Sequence, residues 1–250
     1  MLFRSKRYPN GWNEPHFFQH QIPEAAPDWI DRVVLRKGDE EITYVVVDDA
    51  LALLWVVNLG CIDLNPWHGR AASPAEADYV LFDLDPAEGL PFDAVIETAL
   101  LIRAELEEVG LRGYPKTSGS RGIHVVVPTL PVAHESARLF AQVVARRIVA
   151  GRRDLVTVET SIAQRGRRVY IDANQNGYGK TIASVYSVRP VPGAMVSTPL
   201  QWPEVAAGLD PTRLTIGAVA ARVASDGDLF AAALTDRQDL GAAVDRLGAS

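Results

Sequence analysis

Tyr79-Val80-Leu81-Phe82-Asp83-Leu84-Asp85-Pro86 is the stretch that decides the fold. An apolar run of this kind reads as a buried strand, and residues two apart on a strand point the same way. Asp83 and Asp85 therefore project side by side from one strand end, and Pro86 and Gly89 close the strand. Adjacent carboxylates repel each other unless something positive joins them, and a divalent cation is the usual solution. Hard oxygen donors with few histidines favour Mg²⁺ or Mn²⁺ over zinc. The pair alone is equally compatible with solvated carboxylates at a strand end.

Working outward, Phe92 to Val109 carries apolar residues at helical spacing: Phe92, Val95, Ile96, Ala99, Ile102, Leu106 and Val109, with Gly110 as the stop. Tyr114 to Thr117 and Ile123 to Val127 read as strands joined by the turn Ser118-Gly119-Ser120-Arg121-Gly122, the second strand being stopped by Pro128. His134 to Ala150 reads as a helix. Leu155 to Glu159 and Arg167 to Asp172 read as strands, and Ala173 to Gly179 as a polar loop. Upstream, Ile42 to Val47 is a strand, and Asp48-Asp49 caps a helix that runs to about Gly60. Cys61 to Leu64 is a short buried strand, and the chain from Trp202 onward is helical. Strands and helices without a regular βα repeat predict an α+β fold with two lobes around a cleft. Residues 1–250 read as a single domain.

The 250 residues are 48% hydrophobic and 22% charged, an ordinary globular composition. No run of about 18 apolar residues is present, so no membrane span is expected. Met1-Leu2-Phe3-Arg4-Ser5-Lys6-Arg7 is too short in its apolar part for a signal peptide. A single cysteine, Cys61, excludes a disulfide framework and predicts a small buried hydrophobe. A cytoplasmic location is the expectation. The net charge of −6 opposes an all-over polyanion binder, yet charge is unevenly placed. Acid concentrates at Asp39-Glu40-Glu41 and at Glu105, Glu107 and Glu108; base concentrates at Arg146-Arg147, Arg152-Arg153 and Arg165-Arg167-Arg168. A local phosphate groove is compatible with that average. Arg146 to Arg153 reads better as a solvated helix end.

Two further constellations join the aspartate pair. In Ser118-Gly119-Ser120-Arg121-Gly122-Ile123-His124, the glycines permit a tight turn whose N–H groups can converge on an anion, and the serines, Arg121 and His124 add donors. It is not a Walker loop, and by itself an ordinary hairpin turn explains it. In Val169-Tyr170-Ile171-Asp172, Asp172 ends an apolar strand much as Asp83 does, and Gln175, Lys180 and Arg189 follow. A third carboxylate from a neighbouring strand would complete an oxygen site. Carboxylates that hold metal, with a cationic turn that holds a triphosphate, are the parts that phosphoryl and nucleotidyl transfer need.

In this order the blocks resemble the archaeo-eukaryotic primase superfamily, and within it the polymerase domain of bacterial ATP-dependent DNA ligase D (LigD) and its stand-alone relatives. The resemblance is carried by Tyr8-Pro9-Asn10-Gly11, Phe17-Phe18-Gln19, Pro27-Asp28-Trp29, the segment from Asn58 to Trp67, Phe82 to Pro86 and Lys116 to His124. It continues through Asp172 to Asn176, Lys180-Thr181, Tyr186 to Arg189 and Pro199 to Trp202, nearly the whole chain. It implies a primase-polymerase fold, with mixed or antiparallel sheets flanked by helices, and template-directed primer extension and gap filling, with ribonucleotides preferred, in non-homologous end joining. It implies that Asp83, Asp85 and Asp172 are catalytic and hold Mn²⁺ or Mg²⁺ in a two-metal site. Ser118, Ser120, Arg121 and His124 would bind the incoming triphosphate, NTP or dNTP, helped by Lys6, Gln175 and Arg189. Phe17 and Phe18 would form a platform under the base, where stacking tolerates any base; the same pair also reads as core. Arg165 and Lys180 are candidate DNA or phosphate contacts. The implied partners are primer-template or broken DNA, with an ATP-dependent ligase and Ku, at the nucleoid.

Two departures accompany the resemblance. Asn65 stands where members often carry histidine, near the sugar and phosphates; it donates and accepts hydrogen bonds but is never cationic. His68 nearby reads as a surface loop histidine. The chain also begins where members are already well under way, so the basic segment that grips a 5′-phosphate is expected to be missing. Competing readings are primase-type primer synthesis, a non-catalytic nucleic-acid-binding module and a haloacid dehalogenase-type phosphatase with Asp83 as nucleophile. The phosphatase pattern continues with Gly-Thr, where this chain has Pro86-Ala87.

Overall fold

The structure is a computed structural model that describes residues 3–37 and 40–249. Met1, Leu2 and Asp39, named above, lie outside the described residues. The strands are β1 (Phe3–Arg7), β2 (Phe17–Gln19), β3 (Arg32–Lys37), β4 (Glu40–Val45), β5 (Cys61–Pro66), β6 (Glu76–Pro86), β7 (Tyr114–Thr117), β8 (Ile123–Ala133), β9 (Val156–Thr157) and β10 (Val169–Ile171). The helices are α1 (Ala50–Asn58), α2 (Phe92–Glu108), α3 (His134–Gly151), α4 (Ile162–Arg165), α5 (Trp202–Ala206), α6 (Ile216–Asp226), α7 (Ala231–Thr235) and α8 (Leu240–Ala249).

β6 is the centre of a five-stranded sheet ordered β7-β8-β6-β10-β9, antiparallel except for the β9–β10 pair. Its alternation sorts its side chains cleanly. Val80, Phe82 and Leu84 join Val125 and Val127 of β8 in the main core, against Val95, Ala99, Ile102 and Leu106 of α2 and Ala137, Phe140, Val144 and Ile148 of α3. Leu81 points the other way, where it packs with Val126, Phe230 and Ala233. Fully burying one such side chain is worth about 1.5–3 kcal/mol, so the choice of face is strongly enforced. The α2 face is the one its helical periodicity predicts, and Gly110 follows with a φ of +75°.

A smaller sheet, ordered β2-β1-β5, and the β3–β4 hairpin lie beside the first. Asp49 caps α1 by accepting from the N–H of Ala52 at 2.7 Å, as the sequence predicts. Cys61 is buried with Ile22, Ile30, Val45 and Val56, the packing role expected for it. The segment after residue 180 ties the small sheet to the large one: Ile182 N–H donates to Pro66, Ser184 N–H to Leu64, and Leu64 N–H to the Ser187 hydroxyl.

Three expectations are corrected here. Pro128 does not stop β8, which runs on to Ala133; a register shift between Ala77 and Tyr79 of β6 creates a bulge that accommodates it. The strand expected over 167–172 shortens to Val169–Ile171, and Arg165 ends helix α4. Ala173 to Gly179 is not loop throughout, because Ala173–Asn176 forms a 3₁₀ turn. Asn176 explains it: its buried amide accepts from Leu81 N–H at 2.7 Å and donates to Leu81 C=O at 2.8 Å, serving β6 as a strand's backbone would.

Candidate active site

At one level of the large sheet, polar side chains replace hydrocarbon across four neighbouring strands. Lys116 of β7 pairs with His124 of β8, and His124 pairs with Asp83 of β6. Just past β10, the Asp172 N–H donates to the Asp83 carbonyl at 2.9 Å. Lys116, His124 and Asp83 are all buried, at 2%, 2% and 6% exposure, so their hydrogen bonds must be accounted for in full.

Lys116 Nζ lies 2.8 Å from His124 Nδ1, 2.8 Å from the Ala183 carbonyl and 2.6 Å from Ser197 Oγ. Ser197 already donates its own proton to the Thr117 carbonyl at 2.9 Å, so it accepts from Lys116. An ammonium would donate to all three; a neutral amine would donate to the carbonyl and the hydroxyl and accept from a protonated Nδ1. Burial and the neighbouring Arg189 push Lys116 down to about 7, while Asp83 and Asp63 pull it up. The other ring nitrogen of His124, Nε2, lies 3.2 Å from Asp83 Oδ1. His124 is neutral, held well below its ordinary value by burial first and by the Lys116 and Arg189 charges second.

The carboxylates behave in the opposite sense. Burial pushes Asp83 up to about 6, against the pull of Lys116, a hydrogen bond from the Gln175 side chain and Arg189. Burial, and then the charges of Asp83 and Asp172, push Asp85 up to about 7, with Arg165 and Arg121 opposing. Asp172 is also raised, chiefly by burial. Its Oδ1 accepts from the Tyr170 hydroxyl and from the Asn174 N–H, each at 3.0 Å.

Asp83 and Asp85 open into a pocket of about 460 Å³, within the range of roughly 300–1,000 Å³ usual for small-molecule sites. Of the expected residues, Asn65, Ser118, Ser120, Arg121, His124, Arg165, Gln175 and Arg189 line it too. Asp172 stands beside the pocket rather than in its wall. Lys6, Phe17, Phe18 and Lys180 are not brought into it. Phe17 and Phe18 are 46% and 56% exposed on β2, which removes the core reading for both. Lys6 Nζ sits 5.6 Å from the Phe18 ring centroid, a cation over that face.

The turn differs from its expectation in one respect. Ser118 Oγ accepts from the N–H groups of Ser120 and Gly122, at 3.2 and 3.0 Å, so those two N–H groups close the turn. What the turn offers the pocket is the two serine hydroxyls and the exposed Arg121 guanidinium. A side chain at Gly122 would meet the Leu84 carbonyl at 2.3 Å, and at Gly119, with φ +71°, it would meet Arg189 Cγ at 2.5 Å. Glycine at these places lets the turn lie directly on β6 and on Arg189. Arg189 in turn donates to the Ser118 carbonyl at 3.0 Å and lies 3.4 Å from buried Asp63.

Residues 2–230 match the family described as LigD, primase-polymerase domain. The chain belongs to the LigD primase-polymerase family. The LigD of Mycobacterium tuberculosis, a multifunctional non-homologous end joining DNA repair protein, is 33% identical over 237 residues, covering 90% of this chain and 31% of that protein. The bifunctional non-homologous end joining protein LigD of Bacillus subtilis is 33% identical over 228 residues, covering 90% and 36%. The chain thus spans about a third of the length of these curated relatives. A solved structure, the polymerase domain of Mycobacterium tuberculosis ligase D in complex with DNA, superposes with a TM-score of 0.87 at 32% identity, covering 94% of this chain and 85% of that one. The LigD primase-polymerase domain is a DNA-directed nucleotidyltransferase, and the phosphatase reading of Asp83 falls away.

Within this LigD-type site, four residues escape the sequence reading as individuals. Lys116 sits inside a quoted motif, but nothing in the sequence marks a strand lysine as buried. Asp63 anchors Arg189, and Asn176 clamps the segment after Asp172 to β6. His68 is a correction: it is buried at 1% exposure, not on a surface loop, and packs edge-on to Tyr79. Neither of its ring nitrogens completes a hydrogen bond, although the Gln175 backbone is close enough to act on it, and burial pushes it down to about 3. The signal for Asp63 is alternation along β5, which puts it on the same buried side as Cys61.

Among the described residues, no three His, Cys, Asp or Glu side chains are already gathered into a metal cluster. The donor chemistry nevertheless fits a hard divalent cation. Three carboxylates with raised proton affinity lie near enough for Asp83 and Asp172 to act on Asp85 and for Asp83 to act on Asp172, and each would gain from a cation that replaces the proton. Also among the described residues, no helix is long and apolar enough to cross a membrane. The basic clusters at Arg147 and Arg152 pair with Glu105 and Glu108 and with Glu97 and Asp154, the solvated helix ends expected of them.

Proposed function

We propose that this chain extends primers and fills gaps on DNA during end joining by template-directed nucleotidyl transfer, with ribonucleotides preferred. The observation that carries the reading is the buried Lys116–His124–Asp83 row opening, through Asp83 and Asp85, into a pocket whose far wall is Ser118, Ser120, Arg121 and Arg189. Likeness to a polymerase domain bound to DNA supports the choice of substrate.

Each group has a role that follows from its chemistry. Asp83, Asp85 and Asp172 would hold Mn²⁺ or Mg²⁺, which supplies charge neutralisation of the triphosphate and activation of the primer hydroxyl. The hydroxyls of Ser118 and Ser120 and the guanidinium groups of Arg121 and Arg189 hold triphosphate oxygens. With Lys116 as an ammonium, His124 Nδ1 is bare and its Nε2 proton is aimed at Asp83. Gln175 steadies the Asp83 carboxylate. Asn65, whose amide donates to the Asp63 carbonyl at 3.0 Å, faces the sugar side of the pocket. Phe17 and Phe18 offer exposed rings for base stacking, with Lys6 beside them. Arg165, 3.7 Å from the Tyr170 ring centroid, stands at the pocket rim as a phosphate contact. An ATP-dependent ligase and Ku would be its working partners, in the cytoplasm at the nucleoid.

The test is extension of a labelled primer on gapped, 5′-phosphorylated DNA with Mn²⁺ or Mg²⁺, ribonucleotides against deoxynucleotides. Templated addition that Asp83→Ala abolishes is the expected result. Addition that survives Asp83→Ala overturns the carboxylate assignment. DNA binding with no addition by the folded wild type converts the reading to a non-catalytic binding module, and addition without a primer converts it to primer synthesis.

A further inference from the structure

A second concavity, of about 280 Å³, lies outside the catalytic pocket. Tyr44 and Trp67, both buried, and Tyr178, 50% exposed, supply its rings. His20, Arg36 and Lys180 supply polar and cationic groups, and among the described residues no carboxylate lines it. The rings hold one another in place. Tyr44 and Tyr178 each meet Trp67 edge-on, with centroids 5.2 and 5.3 Å apart, and Tyr178 also meets His134 edge-on at 5.6 Å. Tyr178 is therefore buttressed on two sides, yet leaves half its surface in solvent. A large aromatic surface that is rigid and exposed is a ready stacking platform.

The cations are available. Among the described residues, the Lys180 ammonium has no hydrogen bond or close ion pair; the carboxylate whose proton affinity it lowers is Asp172. Arg36 pairs with Glu41 at 3.0 Å, but both side chains are mostly exposed, and such a pair holds its members weakly.

The concavity adjoins the catalytic site along the chain. Tyr178, Gly179 and Lys180 line the second pocket, and Thr181, Ile182 and Ala183 line the first. A backbone bridge between Trp67 and Thr181 fixes the shared wall. On the other side, His20 directly follows β2, which presents Phe17 and Phe18. Aromatic faces with interleaved cations and no acid are the recognition chemistry of single-stranded nucleic acid. The small volume suits one base, not a whole nucleoside triphosphate.

We propose that this second pocket takes one unpaired base of a single-stranded DNA overhang, stacked on Tyr178, with the adjoining phosphate on Lys180 and Arg36. The inference rests on the DNA-directed reading of the neighbouring site and adds where an overhang runs once it leaves that site.

The test uses a duplex with a single-stranded tail carrying 2-aminopurine at successive positions, with a blunt duplex as control. Wild type is expected to quench one tail position selectively. Tyr178→Ala should weaken tailed-DNA binding by roughly 5- to 150-fold, the range for losing one stacked base, and leave blunt-duplex binding unchanged. Tyr178→Trp should restore it, and Lys180→Ala should weaken tailed binding and flatten its salt dependence. Unchanged tailed binding by a Tyr178→Ala protein with wild-type melting temperature overturns the proposal, as does a quench reversed by free nucleotide alone. These binding signals are read without turnover, so a wild type that extends no primer refutes the polymerase reading and leaves this one to be decided separately.

Discussion

Val80, Phe82 and Leu84 look into the helices, while Leu81, Asp83 and Asp85 look the other way, from the same eleven-residue strand. Phe82 and Asp83 are neighbours and both are buried, at 0% and 6% exposure. On the helix side, burial is a gain, because hydrocarbon leaves water and fills space. On the cleft side, burial is a cost that raises the proton affinity of Asp83 and lowers that of His124 and Lys116. One face supplies the stability that holds the other face in its unfavourable state. Burial class alone therefore does not tell core from site; the sign of its effect on charge does.

The contrast can be broken most severely from the helix side. Phe82→Ala should lower unfolding free energy by about 3–5 kcal/mol, measured by denaturant titration, because its neighbours from α2 and α3 cannot collapse into the space. From the cleft side the sign reverses. The Asp83 carboxyl binds its proton more tightly folded than unfolded, so the stability it permits is complete below its ordinary 3.8 and is lost as pH rises through about 6. Asp83→Asn should then stabilise the metal-free protein at pH 8 by about 3 kcal/mol, with little gain at pH 4. An Asp83→Asn variant less stable than wild type at pH 8 would show that Lys116 more than offsets the burial cost.

A subtler change sharpens the comparison. Lys116→Met removes a charge that holds His124 below its ordinary value, so the acid limb of the kcat/KM profile should move to higher pH. The loss of activity near neutrality should be about tenfold, as is usual for residues that orient a functional group without touching substrate. A lower kcat with an unmoved profile would assign Lys116 to packing alone.

Much of this is legible in the sequence. The Asp83–Asp85 strand, the α2 face and the Asp49 cap are local patterns of period two, period 3.6 and capping chemistry, and they stand where their residues put them. What local pattern cannot supply is depth. Nothing in the neighbourhood of His68 distinguishes a loop histidine from one buried against Tyr79, and nothing local says that Asn176 will stand in for a strand. The Ser118 turn stands where its glycines put it but offers fewer N–H donors than the sequence suggests, because a serine two residues before an N–H is as ready to accept from it as to join it in binding an anion. Pro128 shows the converse limit: a residue that ends most strands is tolerated beside a bulge, here still opposite Tyr79.

Gly122 carries a consequence for how this site can change. With no room for a single carbon between the turn and the Leu84 carbonyl, the serine–arginine turn and the aspartate strand form one welded part. Insertions can lengthen the surface loops around the cleft, but none can be taken up between Asp83 and Ser118 at the point where they face the same substrate. Anyone transplanting this turn to another scaffold would have to move the strand beneath it as well.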